Sequence, residues 1–112
     1  MIHVSVNRDL EGRVNKIQAQ GHAEYADYGQ DIICAATTAV ITTAMAALED
    51  LLGIEHERIL EEGDVALILD RQVHEKSTEA KQIDLVLETC VLGLKQIEFS
   101  YGNDYITVRD RV

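Results

Sequence analysis

Cys34 and His22 are the residues whose types and setting suggest covalent chemistry. Cys34 closes Asp31-Ile32-Ile33-Cys34, where a polar segment gives way to a long apolar run. Near the start of a helix, backbone N–H groups without a helical partner stabilise an anion and lower a thiol's pKa from ~8.5 toward neutrality. The same amides could hold the oxyanion of a tetrahedral intermediate. His22 follows Gly21 at the expected end of a strand, across the polar segment from Cys34. A nucleophilic thiol needs an imidazole to take its proton and later return it to the leaving group. One loop joining a strand end to a helix start can bring two such groups together. Taken singly, each has a plainer reading: a buried Cys on an alanine-rich helix, and a surface His.

The loop between them carries Tyr28 and Asp31, with Gly21 and Gly29 as hinge candidates for a lid. Asp31 either caps the helix or orients His22. Its charge against the thiol would raise the thiol pKa, so direct contact would oppose activation. Thr37 and Thr38 follow Cys34; their hydroxyls either bond back to helix carbonyls or support the site. Cys90 falls in an apolar stripe and reads as a small core hydrophobe. His22, Asp31 and Cys34 could also serve as metal ligands with a distant His56 or His74. No CxxC, HxxxH or HExxH spacing supports that, and no metal is expected. His56 and His74 read as surface residues. GxGxxG, GxxxxGK[ST] and GxSxG are all absent.

The elements that must position these groups follow from periodicity. Ile2, Val4 and Val6 alternate with polar residues as a half-buried strand. A turn at residues 9–12 leads to a weaker strand over 13–21, whose apolar side, Val14, Ile17 and Ala19, alternates imperfectly. Residues 32–52 are apolar on nearly all sides and predict a buried helix, with Asp31 as N-cap and Gly53 as C′. Strands are expected over 56–60 and 65–70 around a tight turn at Glu61-Glu62-Gly63-Asp64. From 77 to 101, Ala80, Ile83, Val86, Leu87, Cys90, Val91, Leu94 and Ile97 share one face of an amphipathic helix. A short strand over 105–109 closes the order ββαββαβ. That order predicts a two-layer α+β domain with a mainly antiparallel sheet, one buried helix and one amphipathic helix.

Composition sets the outer bounds. The chain has 112 residues, 46% hydrophobic and 27% charged, which suits one packed domain over 1–112. Lys+Arg 10 against Asp+Glu 20 gives a net charge of -10, which excludes a basic nucleic-acid surface. No basic n-region precedes an apolar core at the start, and no apolar run of ~18 residues free of polar groups indicates a membrane span. Two cysteines without a dense framework fit free thiols in the cytoplasm.

The stretch Gly21-His22-Ala23, then Tyr28-Gly29-Gln30-Asp31-Ile32-Ile33-Cys34-Ala35-Ala36, then Thr38-Ala39-Val40, resembles the ribosomal-processing cysteine proteases, the Prp family. That family pairs a GHA motif with a G-x-D-[ILV]-[ILV]-C-A motif that opens a helix. The resemblance implies a small α+β fold, usually a homodimer, acting as a Cys–His endopeptidase without a cofactor. Its substrate would be the short N-terminal extension of large-subunit ribosomal protein twenty-seven, removed around ribosome assembly. Cys34 would be the nucleophile and His22 the general base and acid, with Asp31 and Thr38 in support. Ala36 departs from the glycine many members carry there. A non-catalytic acidic ribosome-assembly module, which would tolerate Cys34→Ser, and a redox-sensing thiol protein, in which Cys34 forms a mixed or intermolecular disulfide, are the rival readings.

Overall fold

The computed structural model describes residues 1–23, 26–27 and 31–110. The readings made for Tyr28 and Gly29 lie outside the described residues. The strands are β1 (Ile2–Arg8), β2 (Val14–Gly21), β3 (Glu57–Glu61), β4 (Asp64–Ile68) and β5 (Ile106–Asp110); the helices are α1 (Ile32–Ala46) and α2 (Ser77–Tyr101). They form a mixed five-stranded sheet in the order β3-β4-β2-β1-β5. Only the β1–β5 pairing is parallel; β1–β2, β2–β4 and β3–β4 are antiparallel. The architecture is the expected α+β fold, with two helices against a sheet.

Alternation in β1 puts Ile2, Val4 and Val6 into the core and His3, Ser5 and Asn7 outside. The imperfect alternation of β2 has a structural cause. Register shifts between Asn7 and Arg8, so that Arg8 faces Val14 and Asn15 is left over. That extra residue is a bulge, and it returns Val14 to the same face as Ile17 and Ala19. Arg8 then clamps the far edge: its guanidinium bonds Glu88 of α2 at 2.7 Å and Asp110 of β5 at 2.7 Å.

α1 is buried along a narrower stripe than its composition suggests. Ile33, Thr37, Ile41, Ala44 and Met45 are buried, whereas Ile32, Ala35, Thr38, Ala39 and Ala46 are exposed. The final turn widens into a π turn over Ala47–Leu51, where a continuous α-helix to residue 52 was expected. Gly53 stops it as expected: its φ is +66°, its N–H reaches the Glu49 carbonyl, and the Ile54 N–H reaches Leu48. Ile32–Leu51 is long and apolar enough to cross a membrane, with a mean hydropathy of 1.7. Here Ile33, Ile41, Met45 and Leu48 instead join the core.

α2 buries Ala80, Ile83, Leu87, Cys90, Val91, Leu94 and Ile97, the stripe read from its period. Each large aliphatic side chain so buried contributes about 1.5–3 kcal/mol. Gly93 is where the helices meet closely, since a Cβ there would lie 3.1 Å from Val40 Cγ1.

Candidate active site

Cys34 sits in the first turn of α1 because Asp31 starts the helix there. Asp31 has extended backbone angles, and its Oδ1 accepts the N–H groups of Ile33 at 2.9 Å and Cys34 at 3.1 Å. Capping of this kind stabilises by about 1 kcal/mol. It also changes the expected chemistry of the helix start. The amides of Ile33 and Cys34 are bonded to the Asp31 carboxylate, and that of Ala35 to the Asp31 carbonyl. These three amides are therefore not an open oxyanion hole, which corrects the simplest reading of the sequence.

An amide from another element takes that place beside the thiol. The Ala23 N–H donates to Cys34 Sγ at 3.4 Å. Ala23 is buried and directly follows His22, so the end of β2 and the start of α1 meet at the sulfur. His22 itself is exposed and, with Cys34, lines one cleft of about 1080 Å³. Other parts of its wall include Thr38 and Thr42 on α1, Ala19 and Gly21 on β2, and Leu60 to Val65 around the β3–β4 turn.

The electrostatics oppose a resting thiolate. Burial pushes the Cys34 thiol above its ordinary range, and the nearby Asp31 carboxylate adds to this; the Ala23 N–H and the amino terminus pull it down. Burial carries the net direction, because a thiolate loses more hydration than a thiol. Cys90 responds to burial alone and is pushed up to about 12.

The other candidates divide. Asp31 is buried and caps the helix. Thr37, not Thr38, bonds back to a helix carbonyl, that of Ile33, at 2.8 Å. Thr38 is exposed on the cleft wall one turn after Cys34. Gly21 has a φ of +99°, and a Cβ there would overlap the Met1 carbonyl oxygen. Close approach therefore accounts for this glycine without any movement. The Met1 ammonium donates to the His22 carbonyl, which fixes the backbone at the cleft mouth.

His56 is a correction: its side chain is fully buried, with Nε2 3.1 Å from Glu49 and Nδ1 3.1 Å from the Glu57 carbonyl. The π turn and β3 close over it, which its charged sequence neighbours concealed. His74 is partly buried and lies 3.3 Å from Glu79. Among the described residues, no three His, Cys, Asp or Glu side chains are grouped to hold a metal ion. The sequence reading missed the Ala23 amide and the approach of Gly63 to His22, both of which depend on which strands are neighbours.

Residues 1–107 match the family model described as cysteine protease Prp. The ribosomal processing cysteine protease Prp of Staphylococcus aureus (strain NCTC 8325 / PS 47) is 31% identical over 106 residues, covering 93% of this chain and 94% of that protein. The protein of the same name from Bacillus subtilis (strain 168) is 31% identical over 106 residues, covering 93% of each. Among solved structures, the S. aureus protease with a covalently linked product peptide superposes with a TM-score of 0.84 at 26% identity, over 99% of this chain and all of that one. The same protease with a substrate peptide gives 0.79 at 26% identity and the same coverage.

Proposed function

This chain belongs to the cysteine protease Prp family and is a cysteine peptidase; from that premise we propose that Cys34 is its nucleophile and His22 its general base and acid. The observation that carries the assignment is the Ala23 N–H bond to Cys34 Sγ, which ties the residue after His22 to the thiol across the cleft mouth. We read the substrate as the N-terminal extension of large-subunit ribosomal protein twenty-seven, cut by one catalytic domain spanning 1–112. The related S. aureus protease has been crystallised with substrate and product peptides, which supports a peptide in this cleft.

On this reading the extended peptide lies between the first turns of α1 and the β3–β4 turn. His22 removes the Cys34 proton, and the sulfur attacks the scissile carbonyl. The Ala23 amide, already beside the sulfur, donates to the developing oxyanion in place of the amides that Asp31 occupies. His22 protonates the departing amine, and water then hydrolyses the thioester, releasing the new carboxylate and restoring the thiol. Burial makes the Cys34 proton harder to remove, so on this reading deprotonation is coupled to substrate binding. A bound peptide displaces water and sets the imidazole against the sulfur. Asp31 supports the site by fixing the helix start, and Thr38 by lining the peptide's path. No cofactor takes part.

The setting proposed is the cytoplasm. The acidic surface, net -10, attracts a basic ribosomal protein, and does so less as salt rises. A homodimer fits the exposed Leu85, Leu92 and Phe99 on the outer face of α2. The test is incubation with the ribosomal protein from the same genome, extension included, followed by mass spectrometry. Wild-type protein trims it, whereas Cys34→Ala and His22→Ala do not; normal trimming by either variant overturns the assignment.

A further inference from the structure

We propose that Gly63, at the tip of the β3–β4 turn, is a positioning residue for the His22 imidazole. The proposal rests on the reading of His22 as general base and adds the element that aims it. A Cβ on Gly63 would lie 3.1 Å from His22 Nε2, 3.6 Å from Cε1 and 3.8 Å from Cδ2. The space beside the Nε2 edge of the ring thus admits a glycine and leaves little room for a Cβ, so the turn forms a wall beside the imidazole. The closest of those distances is tighter than ordinary van der Waals contact, so a side chain at 63 requires the imidazole to give way by a few tenths of an ångström.

The wall is tied to the strand that carries the ring. The Gly63 carbonyl accepts the Gly21 N–H at 2.9 Å. Gln18 Nε2 donates to Asp64 Oδ1 at 2.8 Å, and Gln20 faces Asp64 in the β2–β4 register. Turn and strand end are therefore held together, and main-chain bonds fix where Gly63 stands relative to the backbone that carries the ring. That is what a base needs in order to meet a thiol on a third element: its own rotamer limited by a rigid neighbour.

Gly12 supplies the contrast within the same molecule. Both turn glycines have positive φ, +81° at Gly12 and +74° at Gly63, so both resist a side chain for backbone reasons. At Gly12 an added Cβ would meet nothing within 4 Å. Only Gly63 places the His22 ring in its path.

The experiment compares Gly63→Ala, Gly63→Asn and Gly12→Ala in the full chain. A peptide copying the ribosomal protein's N-terminal extension is the substrate, and the His22 ring signals are followed by NMR through a pH titration. Asn tolerates positive φ, so Gly63→Asn keeps the turn and tests the Cβ contact even where Gly63→Ala folds poorly. Both Gly63 variants are expected to lower kcat about tenfold or more, since small misplacement is costly in proton transfer, with the loss in kcat exceeding any change in KM. They also move the His22 ring signals and the pH profile of kcat. Gly12→Ala leaves kcat and the His22 signals unchanged while losing thermal stability. Wild-type kcat and unmoved His22 signals in Gly63→Asn would overturn the proposal. Normal cleavage by His22→Ala would instead overturn the general-base assignment, with the ring signals still deciding whether Gly63 holds the imidazole.

Discussion

At the start of α1, Cys34 is half-buried, faces a cleft and receives an N–H bond from a different element. In the middle of α2, Cys90 is 4% exposed and directs its thiol to the Val40 carbonyl of the adjoining helix at 3.8 Å. Both thiols are pushed up by burial, so burial alone does not separate a reactive cysteine from a structural one. The difference lies in what surrounds the sulfur. Cys34 has an amide donor in Ala23 and a carboxylate in Asp31, and it lines the same cleft as His22. Cys90 has aliphatic neighbours and a helix carbonyl, and nothing there can stabilise a thiolate.

Exchanging the cysteines for alanine tests this contrast most severely. Cys34→Ala is expected to lower peptide cleavage by about 10⁴-fold or more, whereas Cys90→Ala keeps kcat within about twofold. Cys90→Ala should instead lose about 1–2 kcal/mol in denaturant unfolding, through the small void left beside Val40. A smaller but still wide separation is expected in labelling. Iodoacetamide at pH 8 should modify Cys34 at least about 100-fold faster than Cys90, read by peptide mass spectrometry. Equal rates would erase the distinction.

Asp31→Asn sharpens the contrast on the Cys34 side. Asn keeps an oxygen for the Ile33 and Cys34 amides but removes the negative charge, so the thiol pKa should fall. Alkylation of Cys34 near pH 7.5 is then expected to accelerate about two- to fivefold, with little change in stability. Slower alkylation would mean that the carboxylate activates the thiol. The smallest effect belongs to the clamp that holds α2 and β5 at the far edge. Arg8 first, and then Lys95, hold the Asp110 carboxyl down at about 2. A carboxylate depressed in the folded state stabilises it above the ordinary range near 4, and that contribution is lost as pH falls toward 2. In thermal unfolding from pH 5 to pH 2, wild type should therefore lose slightly more than Asp110→Asn, and cleavage at neutral pH should be the same in both.

Much of this frame was legible in the sequence, and the omissions share a cause. Alternation in β1, the stripe of α2, the Asp31 cap and the Gly53 stop are signals local to a few residues, and each appears as read. His22 and Cys34 could be read together because their motifs flank one polar segment, and both line one cleft. Periodicity assigns faces but not neighbours, so the β2–β4 pairing, the parallel β1–β5 pairing and the approach of Gly63 to His22 could not be read. The bulge at Asn15 blurred β2 for the same reason, since it exists only relative to β1. Arg71 shows the limit for charge: it is 3% exposed, bonded to the Val14 carbonyl and paired with Asp84. No local pattern predicted a buried guanidinium there.

The parallel pairing of β1 with β5 has a consequence for the timing of synthesis. Residues 2–6 acquire their outer neighbour only from residues 106–110. While the chain is being made, β1 can pair with β2 within the first 21 residues, yet its other edge stays open until β5, which follows the other elements, has been made. The Arg8 clamp cannot close before Asp110 emerges. A chain without β5 therefore exposes the unpaired N–H and C=O groups of β1 along that edge. Completion of the sheet coincides with the arrival of β5, so the parallel edge of β1 is the last part of this frame to be covered.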